Sequence, residues 1–137
     1  MSYIDSSSIP FNIDSKTEYL DPEIDTQGNV EYKSYLTHNI TPRRLERLAS
    51  QMNWRMNENF SISENFVMIY ILGVFDNGQI ADISEGAMFE TINNLELASL
   101  KISAKVKSKN LIKTKNGLVG IVTIIRDSQY GDSLLLL

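Results

Sequence analysis

Phe66-Val67-Met68-Ile69-Tyr70-Ile71-Leu72-Gly73-Val74-Phe75 is a long apolar run in a chain of 137 residues. It is near-continuous in hydrophobicity and rich in β-branched and aromatic side chains. That pattern predicts a central strand buried on both faces. Asn77-Gly78 follows and supplies the left-handed backbone angles of a tight hairpin turn, so Gln79–Ile83 reads as a shorter returning strand. Upstream, Val30 to Leu36 alternates Val30, Tyr32 and Ser34 against Glu31, Lys33 and Tyr35, the period of a half-buried strand.

The two helices announce themselves by their starts. Thr41 can accept an orphan backbone N–H, and Pro42 suits the first helical position, where its missing N–H costs nothing. Leu45, Leu48, Met52 and Met56 then form one apolar stripe ending near Asn57. Ser84 caps a second helix in which Met88, Ile92, Leu95 and Ile102 share a face. Gly86 in its first turn weakens the start by roughly 1 kcal/mol. Two more strands follow, near Leu111–Lys115 and Leu118–Arg126, with Asn116-Gly117 as their turn. The first six elements match a split βαβ arrangement. The predicted fold class is therefore α+β: a two-layer α/β sandwich, ferredoxin-like, with two helices on one face of a four- to five-stranded, mainly antiparallel sheet.

Charge divides the chain. Residues 1–27 carry six acids and one base, and the remainder carries eleven acids and twelve bases, so the net charge of -4 belongs to the leader. With Ser6-Ser7-Ser8, Pro10 and Pro22 breaking every periodicity, residues 1–27 read as a disordered acidic arm. Residues 28–127 read as the α/β module, and residues 128–137 as a tail. The closing Leu134-Leu135-Leu136-Leu137 fits either a frayed edge strand or the start of a domain beyond it; exposed leucines need a cover.

Cysteine is absent and His38 is the single histidine, so a disulfide framework and a thiolate metal site are both excluded. No catalytic constellation assembles from the residues, and no cofactor is expected. There is no signal peptide, and no apolar run approaches the roughly 20 residues needed to span a bilayer. A cytoplasmic, non-membrane protein is the expectation. Gly73-Val74-Phe75-Asp76-Asn77-Gly78 has the glycine frame of a P-loop. It lacks the Lys and hydroxyl that reach phosphate and magnesium, and Asp76 would repel phosphate, so the hairpin reading is preferred.

Lys101, Lys105, Lys107, Lys109, Lys113 and Lys115 place six bases in fifteen residues without an acid. They are candidates for tracking the phosphates of ribosomal RNA or another polyanion. The plainer reading is a solvated helix end and a strand edge protected by lysine. Arg43, Arg44 and Arg47 form a second candidate cluster. Arginines at a helix N-terminus oppose the helix dipole, which hints at a partner. Tyr32, Tyr70 and Phe75 are expected in the core, and Trp54 reads as a packing residue between helix and sheet in preference to an anchor for a partner.

Several short stretches occur in a telling order: Gly28-Asn29-Val30-Glu31-Tyr32-Lys33, Gln51-Met52-Asn53-Trp54-Arg55, Gly73-Val74-Phe75-Asp76-Asn77-Gly78 and Ile83-Ser84-Glu85. Over residues 18–127 the chain resembles the region preceding the GTPase domain in the GTP-binding protein 1 and 2 family, relatives of elongation factor 1 alpha. The resemblance implies a non-catalytic accessory module of a translational GTPase, acting in cis or in trans at the ribosome or in RNA surveillance. Leu137 falls about where that family's GTPase domain begins. The GTPase motifs have no counterpart here, so no nucleotide-binding residue carries over. The lysine-rich stretch departs from the family and keeps open a second reading, a free-standing RNA- or ribosome-binding protein.

Overall fold

The computed structural model describes residues 12–23, 29–36, 40–58 and 65–127. Among these the chain order is β1 (Val30–Lys33), α1 (Pro42–Glu58), β2 (Asn65–Leu72), α2 (Glu85–Lys101), β3 (Lys105–Thr114) and β4 (Gly117–Asp127). The strands form one sheet in the order β1-β2-β4-β3. β1 runs parallel to β2, while β2 with β4 and β4 with β3 are antiparallel.

Both helix starts behave as their sequences require. The Arg44 N–H donates to Thr41 Oγ1 at 3.2 Å, and the Ala87 N–H donates to Ser84 Oγ at 3.1 Å. Strand alternation then splits the core in two. Met68, Tyr70 and Leu72 of β2 and Val122 and Ile124 of β4 face both helices. They meet Leu48, Met52 and Met56 of α1 and Met88, Ile92 and Leu95 of α2. Gly120 lets α2 close on the sheet, since a Cβ there would stand 2.9 Å from Met88 Sδ. Two helices thus cover one face of a mixed, mainly antiparallel sheet, the expected α+β two-layer class.

The connectivity departs from the split βαβ order. Gln79–Ile83 does not join the sheet and makes only isolated bridges, Val74 with Ile80 and Tyr19 with Gln79. With no strand inserted, β1 pairs directly with β2, from Val30 opposite Ile69 to Lys33 opposite Leu72. The reason lies at the end of β2. Gly73 takes a φ of 81°, the chain folds back through Phe75–Gln79, and Ile80 is buried on the helix-free face. In this turn Gly78 alone is left-handed, with φ 92°. Asn116 is likewise not left-handed; Lys115 and Asn116 form the second turn, and Gly117 opens β4.

The leader differs from an arm where it is described. Ile13 and Leu20 pack with Tyr32, Ile69, Ile71, Val74, Ile80, Val119 and Ile121 over the second face of the sheet. Hydrogen bonds hold this cover in place. Leu20 N–H donates to Gly78 O at 2.8 Å, Glu23 N–H to Asp76 O at 2.7 Å, and Lys115 N–H to Thr17 O at 3.1 Å. Gly78 has to be glycine, because a Cβ would collide with the Leu20 carbonyl. The Glu23 carboxylate also accepts the Tyr32 N–H at 2.6 Å, so a side chain occupies a donor on the edge strand β1. Few apolar residues do this work, which is why composition alone reads as an arm. Residues 1–11, 24–28 and the 128–137 tail lie outside the described residues, as does His38.

Two aromatic expectations reverse as well. Tyr32 and Tyr70 are core residues, but Phe75 is 45% exposed at the turn and Trp54 is 59% exposed on α1.

If the leader is a structural layer, Leu20→Ala should cost about 2–5 kcal/mol, the same range as Ile71→Ala in the central strand. Urea melts compare the two variants. A Leu20→Ala protein melting with wild type would show that the sheet's second face does not need this segment.

Candidate polyanion-binding surface

The lysine-rich stretch is the end of α2 and the whole of β3, an edge strand. Lys101 lies in the last turn of α2, where a cation complements the helix dipole. Lys105, Lys107, Lys109 and Lys113 are exposed along β3, and Lys115 is exposed in the turn that follows. The register distributes them over two faces. Lys109 stands opposite Val122 and Lys113 opposite Leu118, residues of the helix-covered face, whereas Lys105 stands opposite Ile125 of the other face. Directly opposed residues share a face. The change occurs at a bulge between Val106 and Ser108, where Lys107 has no partner residue on β4. The lysines therefore rim an edge and do not form one flat patch. This arrangement also shields the free edge against pairing with another chain, as bulges and lysines do.

Two of the six are engaged. Lys101 Nζ lies 2.9 Å from Glu46 Oε1 of α1, and Lys115 Nζ lies 2.9 Å from Glu18 Oε1 of the leader. Both pairs are solvent-exposed, so each contributes at most about 1 kcal/mol. Lys105, Lys107, Lys109 and Lys113 make no ion pair among the described residues. On α1, Arg43, Arg44 and Arg47 are all exposed, and the first turn holds no acid. Glu46, between Arg44 and Arg47, links this cluster to the lysine stretch through Lys101. Arg44 and Arg47 line a small pocket with Lys33, a cation that sequence reading left out because it lies on β1. Phe89, Leu97 and Leu100 are exposed apolar residues of α2, which sequence reading also left out.

The buried charges serve the fold. Glu31 on β1 is buried, with Arg55 Nη1 at 3.3 Å and Lys33 Nζ at 3.0 Å. Burial raises the Tyr70 hydroxyl above its ordinary pKa, the Glu31 carboxylate raises it further, and Arg55 partly opposes both. Tyr32 is raised by burial and then by Asp21 and Glu23; its hydroxyl donates to Asp21 O at 2.7 Å. Arg126 at the end of β4 donates to Asn53 Oδ1 at 2.6 Å, Asn57 Oδ1 at 2.7 Å and Ile102 O at 3.0 Å, joining both helices to the sheet. Burial lowers its pKa. Among the described residues no cluster of His, Asp and Glu has metal-binding geometry, and no helix is long and apolar enough to cross a membrane. The Gly73–Gly78 segment is the turn beneath the leader, with the Gly78 carbonyl occupied by Leu20 N–H.

Comparison with known proteins gives one relation. Over 88 residues, 64% of this chain, the sequence is 34% identical to GTP-binding protein 2 of Mus musculus, and equally to GTP-binding protein 2 of Homo sapiens. The chain spans 14% of the length of these curated relatives. No protein-family model and no solved structure matches. This likeness supports a relation to the GTP-binding protein 2 family.

The buried tyrosines set an alkaline limit. Their folded pKa values lie above the ordinary 10.0, so the neutral hydroxyl is favoured in the folded state. Their contribution is present below pH 10 and is lost as pH rises, because the unfolded chain ionises first. For Tyr70, whose shift is the larger, the slope approaches about 1.4 kcal/mol per pH unit above about pH 10. Urea melts at rising pH should show Tyr70→Phe losing stability less steeply than wild type. Parallel curves would contradict the burial assigned to Tyr70.

Proposed function

We propose that this chain is a non-catalytic accessory domain of an elongation-factor-like translational GTPase, serving it in cis or in trans in the cytoplasm and binding no nucleotide itself. The observation that carries this reading is the 34% identity to GTP-binding protein 2 over 88 residues. The matched relative supplies the GTPase context. The chain supplies no G-x4-G-K-[ST] segment to cradle a phosphate and hold magnesium. Its one glycine frame of that spacing closes a turn against the leader, with Asp76 inside it. Gly73, Gly78 and Gly117 serve turns, and Gly120 serves packing. What remains is a rigid sheet whose outer elements carry charge and exposed apolar residues, which suits contact with another domain or with the ribosome.

The test has two parts. Mixing the chain with GTP-binding protein 2 from which the matched stretch has been removed should restore association or GTP turnover that the truncated protein lacks. Failure of both to respond would end the accessory reading. Separately, millimolar GTP with magnesium should leave the melting temperature of this chain unchanged, since a ligand stabilises the state it binds. A rise of several degrees would show a nucleotide site.

A second reading, a free-standing RNA- or ribosome-binding protein, is favoured by one feature: four exposed β3 lysines with no ion pair among the described residues. It predicts binding to structured RNA that falls steeply with salt. Lys105→Glu with Lys107→Glu should then weaken binding across all sequences alike. Absence of RNA retention at micromolar protein and low salt would remove this reading.

A further inference from the structure

Lys33, Arg44, Arg47 and Gln51 converge on a pocket of about 180 Å³ between the end of β1 and the first turns of α1, closed by Leu36, Ile40 and Leu48. No acid lines it. From this juxtaposition we propose that the pocket is a binding site for a phosphate monoester, the phosphate held by Lys33, Arg44 and Arg47 and its organic group lying on the three aliphatic residues.

The charge balance supports an anion. Glu31 is the acid nearest in sequence to Lys33, and it is shared between Lys33 at 3.0 Å and Arg55 at 3.3 Å. One carboxylate between two cations leaves that group positive. Arg44 and Arg47 add two further charges and have no ion pair among the described residues. The nearby acids are engaged elsewhere and do not line the pocket: Glu46 pairs with Lys101 at 2.9 Å, and Glu90 accepts from the Tyr35 hydroxyl at 3.3 Å. Arginine suits the task, because its planar fork can give two parallel N–H donors to one phosphate. Gln51 adds an uncharged donor.

Local stability gives no reason for this placement. The first turn of α1 holds no acid, and Arg43 and Arg44 stand there, where a helix dipole favours anions. A bound dianion would reverse that unfavourable term.

The size of the pocket and its apolar wall select the class of ligand. A polynucleotide backbone needs a track of cations along several phosphates. Here three cations line one small pocket, and apart from Gln51 the remaining lining is aliphatic, so a single terminal phosphate on a small organic group fits better. The site is distinct from the β3 lysines and does not depend on the accessory reading above.

Phenyl phosphate is the probe, titrated against the full chain by isothermal calorimetry and by phosphorus NMR. Saturable binding at millimolar or lower dissociation constant is expected, weakened at least tenfold in Arg44→Gln/Arg47→Gln. Lys107→Gln/Lys109→Gln should bind as wild type does, and its melt should match. Methyl phenyl phosphate, a monoanion, should bind at least several-fold more weakly than the dianion. No saturable binding up to about 10 mM would overturn the proposal. So would an unchanged affinity in the arginine double variant with an unchanged melt, or equal affinity for the monoester and the diester. An RNA oligonucleotide lacking a terminal phosphate that displaces the probe stoichiometrically would show a backbone site instead, and would also overturn it.

Discussion

Eight residues of β2 pair with eight of β4, from Asn65 opposite Asp127 to Leu72 opposite Gly120, and the stretch Met68–Leu72 is buried on both faces. The rest of the fold follows from that condition. Ile69, Ile71, Val119 and Ile121 would otherwise present a wet apolar sheet, at roughly 1.5–3 kcal/mol for each side chain left exposed. Helices supply cover for the other face only. The second face is closed by irregular backbone, whose polar groups need partners of their own. Hence the leader is tied to the turns by Leu20 to Gly78, Glu23 to Asp76 and Lys115 to Thr17. A loop can serve as a layer when neighbouring loops satisfy its hydrogen bonds.

The helix-covered face closes differently at its two edges. Under β1, Glu31 and Arg55 place opposite charges together where neither could remain alone, since an unpaired buried charge costs several kcal/mol. At the far end of β4, Arg126 meets two asparagines and a helix-terminal carbonyl. Neutral acceptors take contacts from both of its terminal nitrogens, and the carbonyl of Ile102 at the end of α2 gains a partner. One side chain thereby sets the position of both helices over the sheet.

How legible each part was depended on whether its determinants were local. Thr41-Pro42 and Ser84 mark helix starts through chemistry within a few residues, and both hold. The central strand was legible because a run such as Val67–Leu72 has no face to give to water. Gln79–Ile83 also has strand composition. Yet period says nothing about which backbone a segment pairs with, and Gly73 turned it away from the sheet. That one absence moved β1 beside β2 and changed the connectivity. The leader was illegible because two apolar residues and a set of backbone bonds hold it. The six lysines were visible as charge, but the bulge at Lys107, which decides their faces, has no clear signal in composition. Lys33 reaches Arg44 and Arg47 only through the β1–α1 connection.

The two basic clusters therefore differ in kind. For the β3 lysines the fold itself provides a sufficient cause: an edge of ten residues needs protection, and lysines at a bulge provide it. The α1 arginines have no such cause. Cations near a helix N-terminus are disfavoured by about 0.3–1 kcal/mol each at exposed sites, and the turn contains no acid to offset them. Such a cost is small against a stability of about 5–15 kcal/mol, so the fold tolerates it. It is nevertheless a cost that no ion pair among the described residues offsets. Arg44 works against its own helix and also lines a pocket with Lys33 and Arg47, and the proposed phosphate would supply the compensating interaction.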